Sequence, residues 1–257
     1  MGSRGGVITS MRHVRVMPIA AMLAGLIVCL PSSAHADWMV SAYLGHAWTR
    51  SSTVTLTLPD QQTAVEIAGV QYRAESLQSP QYYGYRIAWI PDQHRWIGVE
   101  AEFIHAKVFA ETDRAVHFRG TLHGAGVDAS LPMNSVVQRL AMSHGLNVLF
   151  ANVALRRELG PADSQGTHRF VVVGRAGAGP TLPHAESTVE HVNRDQYESG
   201  GLGAQVAGGV EATVWRRLAV VGEYKFTWVS PEIDVAGGQA TIPARSHHVV
   251  GGLAYRF

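Results

Sequence analysis

The chain has 257 residues, 27 of them glycine and only 16% charged, with a net charge of +1. Near-neutrality excludes nucleic acid as a partner, because phosphate binding needs an excess of Lys and Arg on one face. A mean hydropathy of +0.03 is too low for a bundle of membrane helices, and after residue 36 no apolar run approaches the roughly 20 residues that a spanning helix needs.

The first segment reads as an export signal. In "MRHVRVMPIAAMLAGLIVCLPSSAHADW" Arg12 and Arg15 make a basic start, an apolar stretch covers residues 17–30, and Ala34-His35-Ala36 has the spacing of a cleavage site. Residues 1–36 are expected to be a signal peptide with an N-terminal extension, Met1 and Met11 being alternative starts, and residues 37–257 the mature domain, exported through the periplasm. Cleavage there removes Cys29, the only thiol, and leaves neither a disulfide framework nor a thiolate metal site. A membrane role for what remains requires a closed β-barrel.

Eight strand-like segments follow: "WMVSAYLGHAWT" (38–49), "YYGYRIAWI" (82–90), "WIGVEAEFIHAKVFAE" (96–111), "VVQRLAMSHGLNVLFANVALRRE" (136–158), "RFVVVGRAGAGPTLPHAES" (169–187), "LGAQVAGGVEATVW" (202–215), "LAVVGEYKFTWV" (218–229) and "HHVVGGLAYRF" (247–257). The connections "PDQHR", "LGPADSQGTH" and "RR" are short, whereas residues 51–80, 112–135, 188–201 and 230–245 are long. Short turns at one end and long loops at the other predict an all-β, eight-stranded antiparallel transmembrane β-barrel of the outer-membrane type, with the long loops extracellular.

The faces agree. In the second segment Tyr83, Tyr85, Ile87 and Trp89 share one parity and oppose Gly84, Arg86 and Ala88; in the seventh, Tyr224, Phe226 and Trp228 oppose Glu223, Lys225 and Thr227. Aromatics outside and charges inside invert the polarity of a soluble barrel, whose interior is the dry side. Trp38, Trp89, Trp96, Trp215, Tyr255 and Phe257 fall at segment ends, where an interfacial girdle belongs. The whole mature chain, closing on Tyr255 and Phe257, resembles the small bacterial outer-membrane β-barrel families, whose last strand ends in an aromatic read by the barrel-assembly machinery. That resemblance implies an integral outer-membrane protein, an assembly signal at Tyr255 and Phe257, and outer-membrane lipids, lipopolysaccharide and the assembly machinery as partners. Eight strands enclose a lumen that side chains fill, so a wide pore is not expected. The default reading is a structural or interaction barrel at the cell surface.

Three segments carry chemistry-bearing residues. In the third, a bulge near Ile104 would align Glu100, Glu102, His105 and Lys107 inward and turn Ala106 and Val108 toward lipid. In the fourth, simple parity groups Arg139, Ser143, Gly145 and Asn147 on one face and sets Met142, His144, Leu146 and Val148 outward. In the fifth, His184 and Glu186 share a face. Imidazoles and a carboxylate from three consecutive strands suit a metal site of the 2-His-1-carboxylate kind for iron, copper or zinc, with His105, His144, His184 and Glu186 as ligands. Lys107 and Asn147 would orient a phosphosugar or bound oxygen near the extracellular mouth. The plain alternative is that these are hydrogen-bonding members of a set of 13 histidines. A Ser143-His144 hydrolase is disfavoured, because neighbours on a strand point to opposite faces.

The stretches "EFIHAKV" (102–108), "SHGLNVLFANVALRR" (143–157) and "GAGPTLPHAES" (177–187) resemble strands of the lipid A oxidase family, outer-membrane barrels that oxidise the proximal glucosamine of lipid A with oxygen. The resemblance implies a metal-dependent oxidase, with a divalent ion such as iron or copper, whose site faces the outer leaflet. His105, Lys107, His144, Asn147, His184 and Glu186 are the matching positions; catalytic roles for Lys107 and Asn147 are expected from their chemistry, as a cation and an amide beside the ligands, and not from the resemblance.

Overall fold

A period of two in the sequence becomes a continuous ladder in space. The computed structural model describes residues 36–162 and 168–257; the expected signal peptide and extension fall outside them, as does the tip of the turn between the fourth and fifth segments. The strands are β1 (Ala36–Thr49), β2 (Ser52–Leu58), β3 (Thr63–Val70), β4 (Tyr72–Arg73), β5 (Tyr83–Pro91), β6 (Ile97–Ala110), β7 (Ala115–Leu122), β8 (Ala125–Pro132), β9 (Val137–Ala162), β10 (His168–Val189), β11 (Val192–Tyr197), β12 (Leu202–Trp215), β13 (Leu218–Val229), β14 (Glu232–Val235), β15 (Gly238–Thr241) and β16 (Ala244–Arg256).

β1, β5, β6, β9, β10, β12, β13 and β16 pair antiparallel in that order. β16 then pairs back onto β1, from Met39↔Arg256 to Thr49↔Ser246, and closes an eight-stranded barrel. Closure leaves no unpaired edge in the wall, which is what a lipid environment demands of a sheet. These strands correspond to the eight segments of the sequence. The expected faces hold as well: Tyr85, Ile87, Val99, Val153, Tyr224 and Tyr255 are exposed on the outer wall, while Arg86, Glu223 and Lys225 are buried inside.

The lumen is filled by charge. Glu102 accepts from Lys225 Nζ at 2.6 Å and from Arg86 at 2.6 Å; Arg175 reaches Glu100 at 2.8 Å and Glu223 at 2.5 Å; Arg156 grips Glu211 with both guanidinium nitrogens. Each of these lumen charges has an opposite partner, as burial requires.

The long connections are more ordered than expected. β2, β3, β7, β8, β14 and β15, drawn from three of them, form a second six-stranded sheet in the order β14-β15-β2-β3-β7-β8. Its inner positions, Val54, Leu56, Ile67, Phe118 and Ile233, share one hydrophobic cluster with Tyr43, Ile104 and Phe150 of the barrel. The fourth connection contributes β11, which extends the sheet alongside β10. The end that bears the long connections is therefore capped by an apolar core, and the ionic network lies in the barrel beneath it.

Candidate functional site

The site is built by an irregularity in β9. Between Met142 and Leu146 this strand advances four residues while β6 advances two, from Val108 to Ala106. On its other side it advances five residues, Ala141 to Leu146, while β10 advances three, Glu186 to Pro183. Two extra residues therefore bulge out at Ser143-His144-Gly145, and Gly145 takes φ +115°, a value that requires glycine. The expectation of Met142, Leu146 and Val148 outward is overturned: all three belong to the buried core, while Arg139 and Asn147 lie on the outer face. His144 does point outward, though it is the bulge that puts it there.

His184 and Glu186 alternate with buried Thr181, Pro183, Ala185 and Ser187 and so project from the outer wall. The structure thus brings together His144, His184 and Glu186, one ligand atom from each lying within 4.8 Å of the others. The cluster sits outside the barrel, near the end that bears the six-stranded cap, and not in the lumen mouth. The rings of His144 and His184 meet edge to face at 4.7 Å. His184 Nε2 is 3.2 Å from Asp195, while its Nδ1 is buried without a protein partner. Glu186 is bonded by Arg139 Nε at 2.8 Å, by Ser143 Oγ and by His144 Nδ1 at 3.2 Å. Imidazole and carboxylate donors with one orphaned buried nitrogen fit a divalent ion. Because two ligands with roughly 2 Å metal bonds span at most about 4 Å, a small side-chain rotation completes the set.

His105 does not join this group. It stays on the outer face, stacked on Tyr83 with centroids 4.8 Å apart, because β6 remains in register through Ala106 and its irregularity falls between Ala106 and Val108, beyond Ile104. Ile104, Ala106 and Val108, the last two expected toward lipid, are core residues. Asn147 Oδ1 lies 2.8 Å from His105 Nδ1 and its Nδ2 donates to Leu182 O at 3.2 Å, so Asn147 holds His105 in place. Lys107 is buried and donates to the carbonyls of Gln78 and Ser79 at 3.4 and 3.1 Å; it anchors the chain before β5 and offers no cation to a ligand.

Arg139, Asp195 and Tyr197 were not anticipated at the site. Asp195 and Tyr197 arrive through the β10–β11 hairpin, in which His184 faces Tyr197 and Glu186 faces Asp195. Ser143 and His144 do hydrogen-bond, at 3.0 Å, contrary to the strand-parity argument, because the bulge turns both the same way. Serine and carboxylate nevertheless meet the same ring nitrogen, Nδ1, so no serine–imidazole–carboxylate relay forms.

A closed antiparallel wall that is apolar outside and ionic inside is the decisive observation. The protein is an outer-membrane-type β-barrel. No family model matches this barrel's sequence, and no curated protein does. Among solved structures it is similar to OprG from Pseudomonas aeruginosa (10% identity, 87% of this chain and 97% of that one, TM-score 0.44). It is also similar to Neisserial surface protein A (11% identity, 87% and 99%, TM-score 0.40) and to the outer membrane protease OmpT from Escherichia coli (10% identity, 86% and 96%, TM-score 0.37).

Proposed function

We propose that this surface barrel is a metal-dependent enzyme that oxidises lipid A in the outer leaflet. The observation that carries the reading is the convergence of His144, His184 and Glu186 on the outer wall near the capped end. Ionisable groups in that position are costly, and where they occur they mark function. A membrane-embedded glycolipid reaches such a site by lateral diffusion, without entering a lumen that is filled by charged side chains.

The surrounding residues have separable tasks. Asp195 holds His184 at Nε2 and leaves Nδ1 without a protein partner. Arg139 fixes the Glu186 carboxylate with a charge-assisted pair. A redox metal held by the three ligands would supply the means of passing electrons to dioxygen. Where the proximal sugar carries a free anomeric hydroxyl in place of a phosphate, its hemiacetal carbon would lose a hydride equivalent and its hydroxyl a proton to dioxygen, giving a lactone and hydrogen peroxide, and water would open the lactone to the acid.

The test is mass spectrometry of lipid A from cells whose lipid A lacks the anomeric phosphate and which express the parent or His184→Ala. The parent should yield lipid A heavier by one oxygen atom, and the variant should yield none at equal amounts of folded barrel. Unmodified lipid A from the parent under aeration would overturn the reading and leave a surface barrel with an interaction role.

A further inference from the structure

On the wall across the barrel from this site, β13, β16 and β1 present a patch graded by height. Their register arranges outward side chains in rows. Gly222, Gly251 and Leu44 form one row, and the two glycines leave open space where a Cβ would stand. Toward the extracellular end, Tyr224, Val249 and His46 come next, then Phe226, His247 and Trp48. Trp48 stacks on His247 with centroids 5.8 Å apart and on His46 at 6.0 Å, and Tyr224 bonds His247 at 2.5 Å. The topmost row is Trp228, Arg245 and Arg50; the Arg50 N–H donates to Arg245 O at 2.9 Å, which sets the two arginines directly opposite each other.

Like charges in direct cross-strand opposition repel. Both arginines are exposed, and among the described residues neither has an ion-pair partner, nor do the outward positions of these rows hold any acidic residue. An opposed guanidinium pair above an aromatic shelf, with a side-chain-free trough below, matches a molecule with an anionic head and a hydrocarbon tail. Guanidinium groups favour phosphate through paired N–H donors, aromatics settle at the interface, and acyl chains fill apolar relief.

We propose that this face is a binding site for a phosphorylated, acylated glycolipid of the outer leaflet, its phosphate held between Arg50 and Arg245 and an acyl chain lying over Gly222 and Gly251. The site is separate from the His144 cluster and does not depend on any turnover there. It anchors the barrel's orientation in the leaflet and holds lipid next to the wall.

The experiment measures binding of bis-phosphorylated lipid A to the full barrel in detergent, by native mass spectrometry and by Trp fluorescence. Arg50→Ala/Arg245→Ala should weaken binding about tenfold or more, as expected for loss of charge-assisted phosphate contacts. His184→Ala should leave this affinity unchanged, which separates the patch from the proposed catalytic site. Dephosphorylated lipid A and inorganic phosphate should each bind poorly, since each supplies only half of the match. Filling the trough, with Gly222→Leu/Gly251→Leu, should weaken lipid A binding without affecting heat-modifiability. Equal lipid A affinity in the double-arginine variant, or inorganic phosphate competing as well as the lipid, would overturn the proposal.

Discussion

The imidazole of His105 lies directly over Gly145, so close that a Cβ there would fall 2.5 Å from the ring's Cε1 and Nδ1 and 2.7 Å from Asn147 Oδ1. One glycine therefore permits both the bulge that exposes His144 and the seat of His105. Gly145→Ala should impose backbone strain of about 1–3 kcal/mol in addition to the clash. The expected outcome is a lower unfolding midpoint and lost metal retention, measured by urea titration and by elemental analysis of the purified barrel. Gly126→Ala, at a position with open space and an ordinary φ, should alter neither. A Gly145→Ala protein identical to its parent in both measurements would show that the bulge tolerates a side chain and does not build the site.

The lumen makes a different demand. Glu102 receives Lys225, Arg86, Asn152 and the Tyr43 hydroxyl, and the Lys225 side chain is 0% exposed. Removing one partner of a buried pair strands the other, at about 3–5 kcal/mol. Glu102→Ala should accordingly lower the denaturant midpoint sharply, whereas Glu66→Ala on the exposed face of the six-stranded sheet should change it little. The parent should show no steady conductance in planar bilayers, because the ionic network fills the cross-section. Sustained porin-like currents would contradict a closed lumen.

Phe257 ties off the barrel seam. Its N–H donates to Trp38 O at 2.8 Å, its ring packs edge-on against Tyr255 at 5.2 Å, and it stands exposed on the outer wall beside the girdle. Phe257→Lys should reduce the amount of heat-modifiable barrel in the membrane fraction severalfold, by placing a charge where an interfacial aromatic belongs. The same variant refolded in detergent should come close to parent stability, since a single backbone bond and one ring contact are at stake. If membrane yield is unchanged, the assembly-signal role of the terminal aromatic is lost.

The barrel was legible because its information is local: strict alternation, even strand count and strand-end aromatics each follow from one strand at a time. What escaped depended on counting across strands. Met142, Leu146 and Val148 share the parity of Phe150, Asn152 and Arg156 and face inward with them; the two residues inserted at Ser143-His144-Gly145 preserve that alternation and turn only His144 out, and neither the choice of inward face nor the bulge can be seen in β9 alone. The β10–β11 hairpin was hidden for another reason. Its turn uses Glu190 and His191 at φ 48° and 63°, where the usual signal would be Asn-Gly, so Asp195 and Tyr197 gave no hint of folding back beside His184. The alternation in "STVTLTL" was visible, yet its length and its place between two barrel strands made it read as loop.

Ser143 separates two chemistries at the same three side chains. It hydrogen-bonds both His144 and Glu186, an arrangement that superficially suits a nucleophile, but both partners meet the imidazole at Nδ1. A serine hydrolase needs the base and the orienting carboxylate on opposite ring nitrogens, because the proton taken at one is stabilised from the other. A metal site needs only that the donors converge and that the serine help hold the carboxylate. Ser143→Ala should therefore keep at least a tenth of the lipid A oxidation, while Glu186→Gln, which removes the anionic ligand, should abolish it together with retained metal. Chelation followed by readdition of iron or copper should remove and restore activity in the Ser143→Ala barrel as in the parent. Complete loss of activity in Ser143→Ala with metal content intact, or release of a fatty acid from lipid A by the parent, would replace the oxidase by an acyl hydrolase.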